Sequence, residues 1–143
     1  MKPPDAARLE LVGQWVGKAE KDFSLARHLV AEGCVYREAV GFHSQQASEK
    51  FLKALLVLRQ IDFPKTHNLG ELLDLLAGTD AALAASLRDI TALNPYGVEY
   101  RYPGDFPEIW QEEAESAFRL AGKVREAVMP NLPSDPESPE RAE

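Results

Sequence analysis

The sequence predicts an all-α protein, an up-and-down bundle of four to five helices. Three observations lead there. Apolar residues recur three and four apart over long stretches. No segment shows the strict apolar–polar alternation of a half-buried strand. Gly33, Pro64, Gly78 and Asn94-Pro95 stand as stop signals at the ends of those stretches. A chain of 143 residues, 45% of them apolar, suits one domain with a real core. That domain is expected over residues 1–129, with a tail over 130–143.

The first helix is predicted from Asp5 or Ala6 to Glu32. Val12, Trp15, Val16, Ala19, Phe23, Ala26 and Val30 make its buried stripe, and His28 falls on the opposite, solvent side. Gly33 is its natural stop. The second helix spans Val35 to Ile61, with Pro64 just beyond. Its apolar residues, among them Ala47, Phe51, Leu52, Ala54, Leu55, Leu56 and Leu58, spread most of the way around. Such a helix belongs at the centre of a bundle or against a second subunit. Thr66 or Asn68 is placed to cap a short third helix carrying Leu69, Leu72, Leu73 and Leu76 and closed by Gly78. An alanine-rich helical stretch follows from Asp80 to Leu93, and Asn94-Pro95 is expected to end it. The segment from Asn94 to Pro107, NPYGVEYRYPGDFP, reads as an ordered loop, because four aromatics are a poor fit to free solvent. The last helix is predicted from Pro107 to Val128, with Trp110, Ala114, Ala117, Ala121, Val124 and Val128 as a narrow seam for close packing. From Pro130 on, four prolines among acidic and serine neighbours indicate a flexible tail.

The formal net charge of −7 argues against broad binding to a phosphate backbone, though not against a small basic pocket. Asp135, Glu137, Glu140 and Glu143 against Arg141 put −3 in the tail and leave about −4 on the body. Cys34 is the single cysteine, so neither an internal disulfide nor a cysteine metal cluster can form. That usage fits a reducing compartment. The start, MKPPDAARLELV, lacks the apolar run of a signal peptide or membrane span. A soluble, cytoplasmic protein with no membrane association is expected.

Several chemistries are excluded. A di-metal carboxylate bundle needs Glu-x-x-His pairs, and none of the three histidines has a glutamate three residues before it. There is no P-loop, no glycine-rich dinucleotide turn and no H-E-x-x-H. Ser44 follows His43, but neighbours on a helix point apart, so Ser44 reads as a small residue at a helix crossing. No cofactor and no metal are expected.

What remains is a polar seam on the second helix. His43, Gln46, Lys50 and Lys53 lie three or four apart on one face of an otherwise apolar helix. One reading is structural: His43 and Gln46 bond to loop backbone, and Glu49 pairs with Lys50 or Lys53 at the surface. The other is functional: the lysines face a groove and attract phosphate. His67 either braces the start of the third helix or joins a site. Arg101, between Tyr100 and Tyr102, is placed either to grip phosphate between stacking faces or to pair with Glu99, Asp105 or Glu108.

The string FHSQQASEKFLKALL (Phe42 to Leu56), then Thr66-His67-Asn68-Leu69, then Arg101-Tyr102-Pro103, resembles the HEPN domain family. The first helix, WVGKAEKDFSLARHLV from Trp15 to Val30, is similar too, and the resemblance covers Leu9 to Val128. It implies a four- or five-helix bundle that commonly dimerises. Many such domains act beside a small nucleotidyltransferase as a toxin–antitoxin pair, and others are ribonucleases. In the ribonuclease members an arginine is followed, after four to six residues, by a histidine. Cleavage there is metal-independent, with a base taking the 2′-hydroxyl proton and arginine steadying the phosphorus centre.

Arg101 matches that arginine, but the histidine positions hold Phe106, Pro107 and Glu108. Tyr102 also stands where active members often have a small polar residue. The expectation is therefore a non-cleaving or weakly active domain that binds nucleotide or RNA. It would act as a homodimer with a nucleotidyltransferase partner, using Arg101, Tyr100, Tyr102, Lys50, Lys53, Gln46, His43 and His67. The alternatives are an endoribonuclease using Arg101 with Glu108, His43 or His67, and a purely structural interaction bundle.

Overall fold

A computed structural model describes residues 5–97 and 108–133. Helix α1 runs Ala6–Ala31, opened by Asp5, whose carboxylate accepts from the Arg8 N–H at 2.7 Å. It closes where Gly33 takes φ +100°, a conformation that favours glycine. Cys34 follows at φ +58° and is buried. Helix α2 is Arg37–Leu58, two residues shorter at its start and three at its end than expected. The N–H of Ile61 bonds to the Leu56 carbonyl, and Gln60 at φ +58° turns the chain out of the helix. Helix α3 is Leu69–Ala77, and of the two candidate caps Asn68 fills the role, accepting from Gly70 and Glu71.

The stretch after α3 departs from expectation. Only Ala81–Ser86 is α-helical (α4), and Arg88–Gly97 continues as a 3-10 helix through Pro95. Asn94-Pro95 therefore does not end helical structure. Tertiary contacts hold the turn: the Asn94 side-chain oxygen Oδ1 accepts from the Leu69 N–H at 2.9 Å, and Tyr96 packs over Gly41 of α2. Helix α5 is Gln111–Val128 and starts after, not at, Pro107. Trp110 is its N-cap, 64% exposed, so it stands outside the buried seam it was assigned to. The rest of that seam, Ala114, Ala117, Ala121, Val124 and Val128, is buried as read. Met129–Asn131 adds a 3-10 turn and Leu132 packs on the core, so order extends past residue 129.

Helix α2 is the axle. Helices α1, α3 and α5 and the 3-10 segment pack around it. Phe51, Leu52, Leu55 and Leu56 are fully buried along it, each contributing about 1.5–3 kcal/mol. Phe23 of α1 stacks on Phe118 of α5 at 5.1 Å and meets Phe51 edge-on at 6.5 Å, which locks three helices together. The bidentate pair of Arg125 with Glu20, at 2.6 and 3.1 Å, ties α5 to α1. The all-round apolarity of α2 is thus used up within one chain and gives no separate reason to place a second subunit on it.

Gly97 touches the buried Gln45 side chain so closely that an added Cβ would sit 2.9 Å from its amide carbon. Gly97→Ala is expected to destabilise the protein by about 1–3 kcal/mol, measured by chemical denaturation, because the pinned glutamine has no room to yield.

Candidate functional site

The face of α2 between His43 and Lys53 carries a chain of polar contacts. At its centre is Glu49, only 3% exposed. Its Oε2 accepts from the Lys53 ammonium at 3.0 Å. Its Oε1 accepts from Gln45 Nε2 at 3.2 Å and lies 3.0 Å from His67 Nδ1. Gln45 also donates to the His67 carbonyl at 3.1 Å, so one glutamine fastens the loop before α3 to α2. Gln46 donates to Gln45 Oε1 at 2.7 Å. Lys53 is 5% exposed, and its ammonium lies 5.4 Å from the Trp15 ring and 5.6 Å from the Phe63 ring. Two aromatic faces and one carboxylate thus replace the water a buried ammonium has lost.

A second group lies at the α1–α2 contact. Asp22 Oδ1 is 2.8 Å from His43 Nδ1, and Asp22 Oδ2 accepts from the Lys50 ammonium. Burial alone would raise the Asp22 pKa. Hydrogen bonds from His43 and Lys50, with their charge, outweigh that and hold it below the ordinary carboxylate range.

The four seam residues named from spacing do not act as one unit. His43 and Lys50 share Asp22, Lys53 belongs to Glu49, and Gln46 leans on Gln45. The Glu49–Lys53 pair forms in the interior and not at the surface, and the loop backbone is held by Gln45 in place of Gln46 or His43. Both lysines are matched by carboxylates, so neither offers an uncommitted charge to phosphate. His67 braces α2 through Glu49 and leaves the capping of α3 to Asn68; its side chain is 74% exposed. Ser44 is fully buried with its hydroxyl unpartnered among the described residues, which fits a small residue at a crossing.

Tyr100, Arg101 and Tyr102 lie outside the described residues, as do Phe106 and Pro107. The described residues on either side of that segment are placed on α2. Gly97 rests on Gln45, and the Arg37 guanidinium donates to the Ile109 carbonyl at 3.3 Å. Glu108 is exposed. A hollow of about 260 Å³ between the 3-10 segment and α5 has Glu112 and Glu113 in its lining, which disfavours anions there. Among the described residues no helix is long and apolar enough to cross a membrane.

Asp22, Gln45 and Glu49 are the residues that spacing arguments passed over as site members. A signal was present: Asp22 falls in the stripe Trp15, Ala19, Ala26, and Gln45 and Glu49 in the stripe Gly41, Leu52, Leu56. Polar groups inside an apolar stripe mark a buried network.

Removing one member of the buried pair leaves an uncompensated charge. Glu49→Ala is expected to cost about 3–5 kcal/mol, whereas the double change Glu49→Leu with Lys53→Met recovers most of that loss, as read by a denaturation double-mutant cycle. A depressed carboxylate pKa stabilises the fold above the ordinary value, and the gain is lost as pH falls through the depressed one. The stability gap between wild type and Asp22→Asn should therefore be constant above about pH 5 and shrink below about pH 4 in unfolding measured across pH.

The geometry agrees with a comparison of sequence. The family model described as HEPN domain matches residues 12–132. No curated protein and no solved structure matches the chain. The FHSQQASEKFLKALL axle, the small-residue α5 seam and all of the α1–α2 hairpin but the first turns of α1 are within the matched span, and the chain belongs to the HEPN domain family.

Proposed function

We propose that this protein is a HEPN-type nucleotide- or RNA-binding domain of the non-cleaving kind, acting with a nucleotidyltransferase partner in a toxin–antitoxin-like pair. The carrying observation is the polar network of α2, in which Gln45 and Glu49 fix the exposed His67 while Gln45 also meets Gly97. A buried charged network is a poor way to add stability, so its presence at the centre of the bundle supports a role in recognition. Arg101 begins four residues beyond Gly97 and is the proposed anion contact, flanked by Tyr100 and Tyr102 as stacking groups. Gln46, His43 and His67 complete the contact surface. Lys50 and Lys53 contribute by holding Asp22 and Glu49 in place.

Absence of cleavage follows from Phe106, Pro107 and Glu108 at the histidine positions. Glu108 is exposed and lacks the desolvation a carboxylate base relies on. The proposal includes a homodimer. Val35, Tyr36 and Trp110, exposed at the end of the bundle where α2 and α5 begin, offer it an apolar surface.

One observation favours a second reading, the endoribonuclease. His43 is oriented by Asp22 as a general base would be, and Nδ1 is the bonded nitrogen. RNA with 2′,3′-cyclic ends after incubation with pure protein would select that reading.

Arg101→Ala is expected to weaken nucleotide or single-stranded RNA binding about tenfold or more while leaving the melting temperature unchanged. Titration calorimetry with thermal melting checks it. A variant that unfolds, from a wild type that binds nothing, would overturn the proposal.

A further inference from the structure

The hollow of about 260 Å³ between the 3-10 segment and the start of α5 takes no part in the polar network of α2. Its floor is apolar: Leu93 and Ala117 are buried, and Tyr96 and Leu120 pack beside them, partly buried. Glu112 and Glu113 belong to the same lining, and both are exposed. A helix start favours acids, and that accounts for Glu113, whose Oε1 accepts from the Trp110 N–H at 3.3 Å. Burial pushes the Tyr96 phenol up and the Glu113 carboxylate adds to this, so a neutral hydroxyl neighbours that acid. Glu112 has no hydrogen-bond or ion-pair partner among the described residues. On its own helix Lys123 is paired with Asp89 and Arg125 with Glu20, and Arg119 forms no ion pair with either glutamate.

Hydrocarbon at the floor and negative charge at the edge match a side chain with an apolar stem and a cationic head. We propose that this hollow docks a protein partner through a lysine or arginine side chain, its stem on Leu93, Ala117 and Leu120 and its head at Glu112 and Glu113. The volume falls below the roughly 300 Å³ at which small-molecule pockets begin, so an anchor carried by a protein fits it better than a free amine. A second copy docked here about a two-fold axis would bring Glu112 and Glu113 toward their own counterparts, which charge opposes. None of Val35, Tyr36 and Trp110 lines the hollow, so the contact is separate from the apolar surface assigned to the homodimer. The inference rests on one part of the reading above, that a protein partner exists, and adds the chemistry that holds it. Anion binding by Arg101 is not needed.

The test uses the full chain in its native cell, with p-benzoylphenylalanine in place of Arg119, an exposed residue one turn beyond Ser116 of the lining. After irradiation, mass spectrometry maps both ends of every adduct. The expected adduct joins this position to a different protein, at a segment bearing lysine or arginine. Its yield should fall about 2- to 5-fold in Glu112→Gln, the scale of one partly exposed ion pair, and about tenfold or more in Glu112→Lys, where like charges meet. Glu10→Gln, an exposed change on α1, should leave the yield as it was, and each variant should keep the wild-type circular dichroism. Adducts confined to residues 98–107 of the same chain, to a second copy, or to a neutral or acidic segment overturn the inference, as does a yield indifferent to both Glu112 variants. If a nucleotidyltransferase copurifies and this position gives no adduct with it, the inference fails alone. If no protein copurifies and no adduct forms, the partner reading fails with it.

Discussion

The buried carboxylate of Glu49 is the constraint around which this bundle is arranged. It lies in the middle of the central helix and is reached by an ammonium, an amide and an imidazole from three directions. Two of these donors stand on α2 itself and the third on the loop before α3. Lys53 is one turn along α2 and is flanked by Trp15 of α1 and Phe63 of the following loop. Gln45 is one turn back and rests against Gly97. His67 leads into α3. A charge this deep is tolerated only when its lone pairs are filled, so the positions of α1, the loop and the 3-10 segment are coupled through one side chain.

This coupling alters the electrostatic picture that the sequence suggests. Two lysines on a helix invite a phosphate-binding interpretation, yet here each neutralises an acid from its own fold. The body is acidic, and the hollow beside α5 carries Glu112 and Glu113 in its lining. Attraction of a polyanion by the described surface is therefore weak, and binding would have to come from directed contacts.

The helices themselves were legible because packing and period agree. The α1 stripe, the cap at Asn68 and the alanine seam of α5 follow from spacing and local chemistry alone. Pro95 was misread because proline statistics are local, while Asn94 and Tyr96 are held by α3 and α2. Trp110 was misread because its spacing matches the seam although the helix begins only at the next residue. The site was half legible. Periodicity put His43, Gln46, Lys50 and Lys53 on one face of one helix, but it carries no information on which acid from another turn or helix meets each of them, and the contacts divide them. Asp22 lies 21 residues from His43 in sequence, and only the α1–α2 crossing makes them neighbours.

The turn between α1 and α2 holds the chain's one thiol under cover. Burial pushes the Cys34 pKa up, and the negative charge of Glu115 adds to this against the opposing pull of Arg37. The sulfur therefore stays protonated and out of reach at neutral pH, and it is the thiolate that alkylating reagents attack. Modification then waits on a momentary opening of the cluster that Val40, Ile109 and Ala114 form around it, which makes this sulfur a native gauge of how often that end of the molecule breathes.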